Sequence, residues 1–148
     1  MKFIGILGLG YIGLPLALSF SKKNKIIAFD LNSKRVNDLI KGIDTNKEFK
    51  KSEIKNNKNI SFTNNFEDLR KCTIFIVAVP TPVNKDKSPN LFFLKKSCFI
   101  LSKIIKKNDL IIFESTVYPG VTEEICAKLI EQKSKLTFNK DFFCGYSP

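Results

Sequence analysis

No stretch constrains this chain more than Gly8-Leu9-Gly10-Tyr11-Ile12-Gly13, because of what flanks it. Before it, Lys2–Leu7 is a short apolar run carrying Phe3, Ile4, Ile6 and Leu7, and it reads as a buried strand. After it a helical pattern runs through Leu14–Lys22. A second apolar run, Lys25–Asp30, then ends in an acid. Strand, glycine turn, helix, strand and acid all fall within residues 1–30.

Each glycine has its own role in such a turn. Gly8 permits the sharp exit from the strand, Gly10 leaves room for a pyrophosphate to approach the backbone, and Gly13 lets the helix lie close. A helix beginning near Tyr11 leaves its first amides without intrahelical partners at the positive end of its dipole, a setting that a diphosphate satisfies. Pro15 sits in the first turn, where its missing N–H costs little. Ile12, Leu16 and Phe20 recur at i, i+4 and i+8 and predict the core-facing stripe of this helix. Asp30 stands 17 residues after Gly13, where a carboxylate accepts from both ribose hydroxyls of an adenosine. The reading is a dinucleotide site. The acid favours NAD over NADP, since it repels a 2′-phosphate, although Lys34 and Arg35 stand close enough to soften that repulsion.

Downstream the alternation continues. Asn32 or Ser33 caps a helix through about Lys41 with Val36, Leu39 and Ile40 inward, and Gly42 stops it. Arg35, in its first turn, is placed to stack on an adenine, to reach a phosphate or to stand in solvent. Residues 43–58 read as one short helix and a surface loop, Asn59–Thr63 as a third strand, and Asn65–Arg70 as a short helix. Cys72–Val79 is an unbroken β-rich run that suits a central parallel strand covered on both faces. It exits through Pro80-Thr81-Pro82-Val83, where the prolines forbid a helix start. In a doubly wound sheet this exit lies at the carboxyl edge, so Thr81 is placed to hydrogen-bond the cofactor.

Leu91–Lys107 predicts a helix with Leu94, Cys98, Leu101 and Ile105 inward. Asp109–Phe113 is the fifth strand, followed by Glu114-Ser115-Thr116-Val117-Tyr118-Pro119-Gly120. Glu114 ends a buried strand and reads as structurally partnered rather than as a base. A helix from about Val121 to Gln132, with Thr122 as cap, leads to a last strand over Phe142–Tyr146. The expected fold is therefore α/β: a Rossmann-type, doubly wound parallel sheet of six strands ordered 3-2-1-4-5-6, as one domain over 1–148.

Composition excludes several alternatives. The net charge is +11, but lysine supplies 23 of the 25 basic residues, scattered over polar helix faces, with arginine only at Arg35 and Arg70. Nucleic-acid binders cluster charge and use arginine forks, so no nucleic-acid partner is expected. No apolar run reaches the length of a membrane span, and the first strand follows Met1 directly, so the expected location is the cytoplasm. Cys72, Cys98, Cys126 and Cys144 form no CxxC pair and histidine is absent, which predicts buried free thiols and no metal.

Taken together, GLGYIGLPLA, VPTPV, ESTVYPG and GYSP resemble the UDP-glucose/GDP-mannose dehydrogenase family. Within it they resemble the branch that oxidises UDP-N-acetylglucosamine or UDP-N-acetylgalactosamine. The resemblance spans the whole chain and implies the family's N-terminal, NAD-binding domain. The family oxidises the C6 hydroxyl of a nucleotide sugar to a carboxylate with two NAD+ in succession. By resemblance, Gly8, Gly10, Tyr11, Ile12 and Gly13 hold the pyrophosphate, and Asp30 and Arg35 the adenosine end. Pro80, Thr81 and Thr116 line the nicotinamide side, and Thr116 also orders a water near the reacting carbon.

Asn90 departs from an aspartate common in the family. The family's later glutamate, its central helix with a lysine and an asparagine, and the domain carrying the nucleophilic cysteine have no counterpart here. The resemblance thus implies a UDP-sugar substrate and a homodimer or larger assembly for the full enzyme, but no turnover by this chain alone. A stand-alone dinucleotide-binding module is the competing reading. A Rossmann reductase of small hydroxy acids is disfavoured by VPTP and ESTVYPG.

Overall fold

The computed structural model describes residues 2–147. Six strands, β1 (Phe3–Leu7), β2 (Lys25–Phe29), β3 (Ile60–Thr63), β4 (Ile74–Val77), β5 (Asp109–Phe113) and β6 (Phe142–Tyr146), form one sheet in the order β3-β2-β1-β4-β5-β6. Every pairing is parallel, with Ile6 beside Ala28 on one side and Ile76 on the other. This is the expected topology. Its switch point lies between β1 and β4, where the connections leave in opposite directions.

Both faces are covered, which is why the inner strands are continuously apolar. Ile4, Ile6, Ile26, Ala28 and Ile76 pack under α1 (Gly13–Phe20), α2 (Ser33–Ile40) and α3 (Lys51–Lys55). Leu7, Phe29, Phe75, Val77 and Phe113 pack on the other side under α4 (Phe92–Ser102), α5 (Lys128–Ser134) and the 3-10 turn Phe66–Lys71.

The inward stripe of α1 differs from the expected one. Leu14, Ala17 and Leu18 are buried, whereas Ile12 is 48% and Phe20 38% exposed. The helix starts at Gly13 instead of near Tyr11, and its sequence GLPLALSF is apolar on nearly every side. Periodicity therefore could not choose a face, and the close approach at Gly13 chose it. In α2, Val36 and Leu39 are buried as expected, but Ile40 is exposed and Arg35 is buried instead. Asn32 is the cap, its side chain accepting the Arg35 amide at 3.1 Å.

The helix predicted to Lys107 stops at Ser102, because Lys106 turns the chain into β5 by donating its amide to Asp109 at 2.8 Å. After Gly120, whose φ is 93°, Val121–Ala127 is a π-helix that runs directly into α5. Thr122 is buried within its first turn and is not a cap. The four cysteines are free thiols, Cys72, Cys98 and Cys126 buried and Cys144 half-buried. Burial pushes the Cys72 thiol up to about 12. Among the described residues no helix is long and apolar enough to cross a membrane.

Candidate dinucleotide-binding site

At the carboxyl edge of β1 and β2 the sheet opens into a cleft of about 400 Å³. Of the predicted site residues, Gly8, Gly10, Asp30, Arg35 and Pro80 line it. The glycine turn is held from the end of β2. The Gly8 amide donates to the Phe29 carbonyl at 2.9 Å, and Asp30 accepts the Leu9 amide on Oδ2 at 2.8 Å. The other Asp30 oxygen accepts the Asn32 amide at 2.8 Å. Asp30 thus shapes the turn as well as facing the cleft. Each carboxylate oxygen keeps a further lone pair for a hydroxyl donor.

The three glycines answer to different constraints. Gly8 has φ +93°, and a Cβ there would meet the Ala78 carbonyl oxygen at 2.8 Å. A Cβ on Gly13 would fall 1.7 Å from the Gly8 carbonyl oxygen, so the close approach is between helix start and turn. A Cβ on Gly10 would meet nothing within 4 Å. The protein itself does not require glycine at that position; open space is kept there. Among the described residues no backbone carbonyl outside the helix accepts the amides of Gly10, Tyr11, Ile12 or Gly13, and α1 begins with no side-chain cap. Four donors at the positive end of a helix, beside an unobstructed glycine, fit a pyrophosphate.

Arg35 is only 9% exposed. Its Nε donates to the Leu9 carbonyl at 2.9 Å, and one Nη donates to Asp44 at 2.8 Å and to Thr45 at 2.9 Å. The second Nη is buried without a partner. Of the open alternatives for Arg35, solvent exposure is therefore excluded. The side chain is the floor of the glycine turn.

Asp44 is fully enclosed and also accepts the amides of Asn46, Glu48 and Phe49. Burial pushes its carboxyl up, but the bonds from Arg35 and those three amides outweigh burial and leave it below the usual carboxylate range. Asp44, Thr45, Asn46, Phe93 and Ser97 are the residues that sequence reasoning missed at this site. The first three lie in a stretch read as one short helix and a surface loop, with no local signal. Ser97, a buried polar residue on the inner side of an apolar helix, was a usable one.

Tyr11 and Ile12 stand exposed beside the turn, at 69% and 48%. Thr81 and Thr116 do not line this cleft. They belong to the neighbouring loops after β4 and β5 and bond to each other, Thr81 Oγ1 donating to the Thr116 carbonyl at 2.8 Å. The Thr81 hydroxyl proton is thereby committed to the protein, while its oxygen keeps lone pairs to accept. Glu114 is half-buried, its amide on the Val77 carbonyl at 2.9 Å.

Residues 2–148 match the model of the UDP-glucose/GDP-mannose dehydrogenase family, NAD binding domain. The chain belongs to this family. It is 49% identical over 145 residues to the UDP-N-acetyl-D-glucosamine 6-dehydrogenase of Pseudomonas aeruginosa, covering 98% of this chain and 34% of that one. The Salmonella typhi enzyme of the same name is 42% identical over the same length. The solved structure of the UDP-D-ManNAc dehydrogenase from Pyrococcus horikoshii superposes with a TM-score of 0.89 at 30% identity, covering 99% of this chain and 36% of that one. The chain thus spans about a third of the length of the curated relatives it matches. The cofactor of this family's domain is NAD, and the open glycine, the free amides and the terminal acid of β2 fit it.

Proposed function

We propose that this chain supplies the NAD-binding portion, the N-terminal part, of a nucleotide-sugar 6-dehydrogenase. The enzyme would oxidise the C6 hydroxyl of UDP-N-acetylglucosamine or UDP-N-acetylgalactosamine to the uronate with two NAD+, for surface polysaccharide precursors. The observation that carries the reading is 49% identity across nearly the whole chain to a UDP-N-acetyl-D-glucosamine 6-dehydrogenase. The cleft at the switch point supports it.

Bound NAD+ supplies the hydride acceptor. The amides of residues 10–13 donate to its pyrophosphate, and Asp30 accepts the ribose hydroxyls while fixing the turn through Leu9. Arg35 supports the turn from beneath. Pro80, Thr81 and Thr116 stand on the nicotinamide side, with Thr116 ordering a water near the reacting carbon. The covalent step on a thiolate finds no candidate here: Cys72, Cys98 and Cys126 are buried, and burial pushes the Cys144 thiol up to about 12. The chain alone therefore binds cofactor without turnover, and the acid, lysine and thiol come from sequence outside it. We place the enzyme in the cytoplasm, as a homodimer or larger assembly.

Fusing these residues to the remaining two-thirds of the Pseudomonas aeruginosa relative tests the reading. The expected result is NADH formation with UDP-N-acetylglucosamine by the fusion and none by the chain alone. A correctly folded fusion that binds NAD+ yet oxidises no nucleotide sugar would leave only a binding module.

A further inference from the structure

We propose that Ser115 is a positioning residue for the nicotinamide half of the cofactor. It acts with Thr81 as a hydroxyl clip that fixes Thr116, and the proposal rests on the dinucleotide reading above. The last backbone bond between the exits of β4 and β5 runs from the Glu114 amide to the Val77 carbonyl at 2.9 Å. Beyond it no further backbone bond joins the two exits among the described residues. Two side-chain hydroxyls take its place. Ser115 Oγ donates to the Val79 carbonyl at 2.6 Å, and Thr81 Oγ1 donates to the Thr116 carbonyl at 2.8 Å. The two bonds run in opposite senses, each loop giving a hydroxyl to a carbonyl of the other. On the far flank the Ser147 amide donates to the Phe113 carbonyl at 3.0 Å.

The outcome is a loop in which the exposed Thr116 is held through its own carbonyl and through the residue before it. Ser115 is 4% exposed, so it lies beneath the surface that would meet a ligand and acts through its neighbour. In a sheet of this order the half built on β4–β6 receives the second mononucleotide. A clip placed there affects the nicotinamide end and leaves the adenosine end on β1–β2 untouched.

Calorimetry on the whole 148-residue chain with NAD+ and with ADP-ribose, which lacks nicotinamide, tests this. Wild type should bind NAD+ more tightly than ADP-ribose. Ser115→Ala should weaken NAD+ about fivefold, the scale of one neutral hydrogen bond, and leave ADP-ribose unchanged. If Ser115→Ala does not fold, Thr81→Val should give the same selective loss and Thr81→Ser, which keeps the hydroxyl, should restore affinity. Equal losses for both ligands, or no loss, would overturn the clip while leaving the dinucleotide site intact. A wild-type chain that binds neither ligand would overturn the dinucleotide reading itself.

Discussion

Arg35 reaches Leu9 from beneath the glycine turn, its Nε donating to the Leu9 carbonyl at 2.9 Å across 26 positions of sequence. The amide of the same residue is taken by Asp30 at 2.8 Å. One residue of the turn is thus gripped on both sides by charged groups, and among the described residues no backbone carbonyl outside the helix takes the next four amides. Arg35 is in turn held by Asp44, so the cofactor turn depends on a carboxylate outside the glycine motif and outside the cleft lining.

Removing Asp44 should therefore damage both the fold and the site. Asp44→Ala leaves a buried guanidinium unpaired, and breaking a buried pair in this way costs about 3–5 kcal/mol. Urea denaturation should show that loss, and calorimetry should show weakened NAD+ binding in whatever remains folded. A variant of wild-type stability and affinity would sever Asp44 from the turn.

The same pair sets an acid limb. The folded pKa of Asp44 lies below its unfolded value, so the unfolded chain binds more protons and stability rises with pH through this range. The contribution is complete above about pH 4, near the unfolded carboxylate value, and is lost as pH falls through the lower folded value. Asp44→Asn removes the titration. The stability gap between wild type and this variant should be constant above about pH 4 and close below it.

Gly10 and Gly13 should separate binding from folding. Gly10→Val adds atoms where nothing lies within 4 Å, so melting should stay close to wild type while NAD+ binding disappears. Gly13→Ala drives a methyl into the Gly8 carbonyl, an overpacking that costs at least about 1–3 kcal/mol. Retained affinity in Gly10→Val counts against a pyrophosphate at this turn.

Cofactor choice should follow Asp30. NAD+ should bind more tightly than NADP+, because the 2′-phosphate meets a carboxylate and the nearest guanidinium is already engaged by Leu9, Asp44 and Thr45. Competition calorimetry decides it; equal affinities remove the argument.

The thiols should be silent in the folded chain. With Cys72 pushed up to about 12 by burial, and Cys98 pushed up by the neighbouring Cys126 and by burial, neither forms thiolate at pH 8. Alkylation should proceed in urea and stall in buffer. Rapid labelling of Cys72 in the native state would contradict its burial.

The strands themselves, the glycine turn and the acid after β2 were legible in sequence because each is local, and the strand order followed from the topology rules for such an alternation. A run such as Cys72–Val79, a glycine triplet or an apolar segment ending in Asp30 carries its geometry in neighbouring residues. The boundaries shifted where tertiary contacts intervened, as at the end of α4, where Lys106 turns back onto Asp109.

By itself, then, the sequence determined a doubly wound parallel sheet with a dinucleotide turn at its switch point, because hydrophobic period and turn chemistry are written in consecutive residues. The tertiary structure alone decided which face of α1 is buried, that Arg35 lies beneath the turn and not in solvent, and that Ser115 and Thr81 join two loops. The last two outcomes depend on groups 26 to 36 positions apart meeting within hydrogen-bond distance, and no local pattern encodes such a meeting.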